Sequence, residues 1–204
     1  MSSISVAGDV SGAISIAAPS AAGSGTLTLP VATDTLVGKA TTDTLTNKSI
    51  AATQLTGTIA AAALPAGSVL QVVNATTSTT VSNSTTTYAD TTLTATITPR
   101  STSSKILAFI AINGMEKSAG NVVNSYGFKL LRDATLVTEY ATYVNYTNSA
   151  TALVSTSSYN YLDSPSSTSA LVYKVQFKNM VASSAVYVQT NSNLSTITLM
   201  EIAG

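Results

Sequence analysis

Five of the nine tyrosines, Tyr140, Tyr143, Tyr146, Tyr159 and Tyr161, fall within the stretch TEYATYVNYTNSATALVSTSSYNYLDSP, Thr138 to Pro165. A tyrosine ring offers a flat apolar face with a polar tip, and Asn and Ser add adaptable hydrogen bonds. Sugars present the complementary chemistry, with C–H faces that stack on rings and hydroxyls that meet donors and acceptors. Tyr143, Asn145, Tyr146, Asn148, Tyr159 and Asn160 are therefore the candidates for a binding surface. Tyr is also a favoured strand residue. The same rings would equally fill a β core or a subunit interface, and both readings stay open.

Bond-breaking chemistry has less to work with. Polysaccharide hydrolysis needs two carboxylates a few ångströms apart, and Asp133, Glu139, Asp163 and Glu116 are the groups to consider. Asp133 sits in a predicted tight turn, where Asp is favoured for its local hydrogen bonds. Glu139 follows on the returning strand. Both suit a solvated surface better than a buried site. The chain has no His, which removes the commonest general base and metal ligand. Its many serines therefore lack the familiar triad, and Ser104-Lys105 has no supporting context. Without Cys there are neither disulfides nor thiolate metal sites. So few carboxylates also disfavour a calcium cage. No catalytic residue, metal or cofactor is expected, and the chain does not read as an enzyme.

The elements that must carry these side chains are read from composition. Of 204 residues only 9% are charged, with formal net charge zero, while 45% are hydrophobic and mean hydropathy is +0.31. Ser and Thr make up roughly 30% of the chain, far above ordinary usage. Such a chain buries surface readily but would be a poorly soluble monomer, so association between copies is expected. The N-terminus, MSSISVAGDVSGAIS, lacks the basic and apolar regions of a secretory signal. The longest dense apolar run, Ile106 to Ile112, is too short to span a bilayer as a helix. No basic stripe exists to neutralise phosphates. Neither membrane insertion nor nucleic-acid binding is expected.

All twelve aromatic residues lie at or beyond Tyr88, and this shift separates an N-terminal segment, 1–67, from a C-terminal domain, 68–204. Pro65-Ala66-Gly67 supplies a turn at the boundary. In the first part, Ile14 and Ile16, then Leu27 and Leu29, alternate as in short strands. Thr33 to Lys39 is echoed nine residues later at Thr42 to Lys48, with Asp34, Asp43, Lys39 and Lys48 at the polar edge. Strands this short and slight cannot build a private core; equivalent segments wound about a shared axis can. The run Ile50 to Gly67 reads either as a helix, from its alanines, or as extended. In the second part, Leu93, Ala95 and Ile97 alternate with Thr, and KILAFIAING (Lys105–Gly114) reads as a central strand buried on both faces. Phe128–Leu131 and Leu136–Tyr140 form a hairpin about Arg132-Asp133-Ala134. Further strands are expected at Leu171–Lys178, Ala185–Gln189 and Thr196–Ile202, with a loop at Asp163–Ser169. Seven to nine strands over about 135 residues suggest a sandwich or jelly roll.

At this level of detail the sequence resembles a known family. GSGTLTLPVATDTL followed by TDTLTNKSI resembles a phrase of tailed-bacteriophage fibre and virion structural proteins, and ATQLTGTIAAAALPAG is similar to their linkers. SALVYKVQFKN and STITLMEIAG resemble the C-terminal domain of many phage fibres. The resemblance implies an all-β homotrimer located in the virion. It would have an extended, intertwined N-terminal stem over 1–67 and a jelly-roll-like β-sandwich knob over 68–204. It further implies that the N-terminal segment contacts other virion proteins and that the knob binds a glycan or protein of the host surface, which makes the six Tyr and Asn residues receptor-binding candidates. Long tail fibres are far larger than this chain. A short tail fibre, a spike with or without polysaccharide-degrading activity, and a capsid decoration or head fibre protein all fit the same stem-and-knob design.

Overall fold

The structure is a computed structural model that describes residues 3–7, 13–17, 49–51, 53, 56, 57, 59, 60, 63–117, 124–146, 153–182 and 184–204. The chain divides into two compact units, Met1–Thr56 and Gly57–Gly204. In the first, β1 (Ser3–Ala7) pairs antiparallel with β2 (Ala13–Ala17), placing Ile4 opposite Ile16 and Val6 opposite Ile14. The extended segment read from Ile14 and Ile16 is thus a strand. The TLTLP phrase and the Thr33–Lys48 echo lie outside the described residues. So does part of Ile50–Gly67, and the described residues of that run include no α-helix.

The second unit holds two antiparallel sheets. Its strands are β3 (Val69–Thr77), β4 (Val81–Asn83), β5 (Ala89–Ile97), β6 (Lys105–Lys117), β7 (Tyr126–Arg132), β8 (Thr135–Val144), β9 (Leu153–Asp163), β10 (Leu171–Asn179), β11 (Val186–Val188) and β12 (Ser195–Ile202). One sheet has the order β5-β10-β7-β8. The other has the order β3-β12-β6-β11-β4, with β9 on the remaining edge of β6. Strict alternation builds the inner faces, because successive side chains of a strand point to opposite sides. On β5, Leu93, Ala95 and Ile97 are buried while the threonines between them face out. On β10, Leu171, Tyr173, Val175 and Phe177 meet Ile106, Ala108 and Ile110 of β6 and Ile197 and Leu199 of β12 in one core. Each large apolar side chain so buried contributes about 1.5–3 kcal/mol.

Two tyrosines tie the sheets together. Tyr126 of β7 donates its hydroxyl hydrogen bond towards the carbonyls of Glu116 on β6 (2.6 Å) and Tyr187 on β11 (2.7 Å). Tyr173 of β10 donates to Asp163 Oδ2 at the end of β9 (2.6 Å), and Arg132 of β7 pairs with the same oxygen. The β7–β8 hairpin turns at Asp133-Ala134 as the sequence predicts, with Asp133 at φ 54°. Its carboxylate accepts from the Val172 N–H (3.0 Å), docking the turn on β10.

β6 departs from expectation twice. It runs three residues past Gly114, because the pairing with β9 slips at Asn113-Gly114: Ile112 faces Ser157, and Met115 faces Ser155. This bulge lets β12 and β11 share one edge of β6, with the turn Thr190–Ser192 between them. The strand is central in its sheet, yet the sandwich covers only one of its faces. Ile106, Ala108, Ile110 and Ile112 are buried, while Leu107 and Ala111 are half-buried and Phe109 is exposed. Burial on both faces, as read from the sequence, is corrected here: among the described residues no element of the sandwich packs on the outer side.

Candidate functional site

β8 lies at an edge of the four-stranded sheet, and its pairing with β7 slips three times. Bulges of this kind re-aim side chains and add twist. At the end of β8 the chain turns sharply. The Tyr146 N–H donates to the Tyr143 carbonyl (3.3 Å), and Tyr143 and Asn145 both take left-handed backbone conformations, at φ 56° and 63°. Asn tolerates this conformation. For Tyr it costs about 1–2 kcal/mol, and such strain persists where the surroundings over-determine it, often at binding sites. The result is an edge-to-face pair of rings, Tyr143 and Tyr146, with centroids 6.3 Å apart and planes at 81°. Both are more than half exposed, at 58% and 55%.

The six candidates therefore separate. Tyr143, Asn145 and Tyr146 come together at the end of β8, whereas Asn148 lies outside the described residues. Tyr159 faces inward on β9, its ring stacked on Tyr140 at 4.5 Å, and Tyr140 stacks in turn on Phe128 at 5.8 Å. Burial, and after it the neighbouring Tyr159, pushes the Tyr140 hydroxyl well above its ordinary value. Tyr140 and Tyr159 thus take the core alternative that the sequence left open. Asn160 points to the other side of β9, opposite Phe109 of β6.

Each carboxylate considered for catalysis occupies a different local setting. Asp133 caps its turn, and Asp163 is held by Arg132 and Tyr173. Glu139 is exposed opposite Lys129, and Glu116 is half-buried on β6 beside β11. Among the described residues no three His, Cys, Asp or Glu side chains group to hold a metal.

Two features escaped the sequence reading. Tyr88 is flanked by the ammonium groups of Lys129 and Lys178, 4.3 and 4.6 Å from its ring centre. Burial first, and then the nearby Glu139 carboxylate, pushes its hydroxyl up to about 12. These lysines come from different strands, so no run of sequence announced them. The second feature is a shallow depression of about 340 Å³ on the outer side of the six-stranded sheet, lined by Phe109, Ala111, Ser158, Asn160, Thr196 and Thr198. A signal for it existed in LAFIAI, where outward positions are as apolar as inward ones.

No family model matches the chain, and no curated protein matches it.

Proposed function

We propose that this chain is a bacteriophage virion structural protein: a short, homotrimeric tail fibre or spike with a jelly-roll-like knob. It attaches to the host cell surface by binding, without catalysis. Its N-terminal segment meets other virion proteins, and its knob presents the receptor site. The observation that carries the binding role is the Tyr143–Tyr146 pair, two exposed rings at right angles on a strained turn with Asn145 between them. Exposed aromatic faces lose little conformational entropy on binding and suit the C–H faces of sugars. The phage assignment is supported by the family resemblance of the two ends of the sequence. Three knobs on one fibre multiply a weak single-site affinity.

The test uses the full chain against an immobilised panel of purified bacterial lipopolysaccharides and capsular polysaccharides. The protein is expected to bind at least one member. Tyr143→Ala with Tyr146→Ala should weaken that binding by about tenfold per ring, about 1.4 kcal/mol each, with unchanged thermal unfolding. Equal binding by the double variant would remove the pair from the receptor site.

A further inference from the structure

The outer face of the six-stranded sheet carries an unbroken apolar row. Val72 of β3 lies opposite Met200 of β12, Met200 opposite Leu107 of β6, and Leu107 opposite Leu162 of β9. The ends of the row are bare: Val72 is 54% and Leu162 48% exposed. The next row, Asn74, Thr198, Phe109 and Asn160, is uncharged and includes an exposed phenylalanine. Lys105, opposite Ile202, and Glu116, beyond the bulge and opposite Tyr187, are the charged groups at the two ends of this face. On the four-stranded sheet the outer face is the reverse, with Asp90, Lys129, Glu139, Lys174 and Lys178 pointing out. The sandwich thus gathers most of its outward charge on one face and leaves the middle of the other uncharged.

Isolated exposed apolar side chains are ordinary; a contiguous row across four strands marks an interaction surface. A foreign partner recognised by charge would find nothing to pair with across these two rows. A second copy brings the same uncharged, flat surface at the same concentration, and sheets pack well face to face. The area is adequate. Four strands about 4.8 Å apart and eight residues of about 3.3 Å rise give a face of about 500 Å². Three copies that turn this face to a common axis bury up to about 1,500 Å² in all, above the scale at which specific interfaces begin.

We infer that copies of this chain assemble through this face, the Val72–Met200–Leu107–Leu162 row of each packing against the same face of its neighbours. The inference rests on the homotrimer reading above and supplies its surface. It also accounts for β6, whose outer residues are as apolar as its core residues.

Light scattering of the full chain over a wide range of concentration tests it, on the wild type, on Val72→Glu with Leu162→Glu, and on Thr94→Glu as a control on the other sheet. The expected result is three protomers for wild type and control, and a monomer for the double variant with its circular dichroism spectrum retained. Should the double variant not fold, Leu162→Lys alone carries the comparison. A double variant that stays trimeric overturns this face and leaves the homotrimer standing. A wild-type dimer that the variant dissociates upholds the face and overturns the threefold reading. A wild-type monomer overturns both.

Discussion

Glu201 is fully buried near the end of β12. Its carboxylate accepts hydrogen bonds from Gln71 Nε2 (2.6 Å), Ser104 Oγ (2.7 Å) and the Arg100 N–H (2.6 Å). Burial alone would push its pKa up; these three donors outweigh burial and hold it below the ordinary 4.5. The unfolded chain therefore takes up the proton first as pH falls. The stability Glu201 contributes is fully present above about pH 4.5 and is lost as pH drops through the lower folded-state value. Glu201→Gln should cost about 2 kcal/mol at pH 7 and flatten the loss of stability between neutral and acid pH. Urea titrations of both proteins at pH 7 and pH 4 read this, and parallel pH responses would rule it out. Part of this site was legible: Ile197, Leu199 and Glu201 share one parity, which places Glu201 on the inner face. Its partners were not. Gln71 lies 130 residues away, and no local pattern marks which distant amide will meet a given carboxylate.

At the scale of elements, Gly114 governs how three strands meet. It sits at φ 60° in the β6 bulge, and a Cβ there would stand 2.8 Å from the backbone N and O of Thr190 and from Asn193 Cβ. The Thr190 hydroxyl donates to the Gly114 carbonyl (3.0 Å), and the Gln189 N–H donates to the Asn113 carbonyl (3.0 Å). Gly114→Ala combines a left-handed penalty with a clash against fixed backbone, so it should destabilise by about 3 kcal/mol. Thermal unfolding measures it, and a melting temperature equal to wild type would refute the close approach. The sequence showed strand alternation in β5, β10 and β12 because apolar and polar residues take turns there. It misread Gly114 as the strand's end, since a glycine that terminates a strand and one that bulges it look alike without the partner strand.

For the whole molecule, every residue of the buried core among the described residues falls within Gly57–Gly204, from Leu93 to Leu199. The fragment 57–204 is therefore expected to fold alone and to melt cooperatively within a few degrees of the full chain. An unfolded fragment by circular dichroism would show that the first unit is needed. The all-β class was readable because Leu, Ile, Val and the aromatics recur at period two across this unit. The strand order was not: β12, last in sequence, inserts between β3 and β6. That choice depends on which faces fit when all strands are present, and one sequence holds no record of pairing. Likewise Tyr143 and Tyr159 have similar neighbours in sequence, and only the parity of β9 and the turn after β8 send one ring outward and the other inward.

The broken pairing of β8 has a consequence for how copies avoid sticking together wrongly. An edge strand with a regular ladder is a template on which another chain's backbone can grow, and a protein this poor in charge has little repulsion to prevent it. Between slips, β8 stays in register with β7 for only two residues at a time. Such an irregular, twisted edge gives an incoming strand no run of evenly spaced N–H and C=O groups to continue. Fibrillar growth through β8 is thereby discouraged, and contacts between copies are left to side-chain surfaces, whose fit selects its partner.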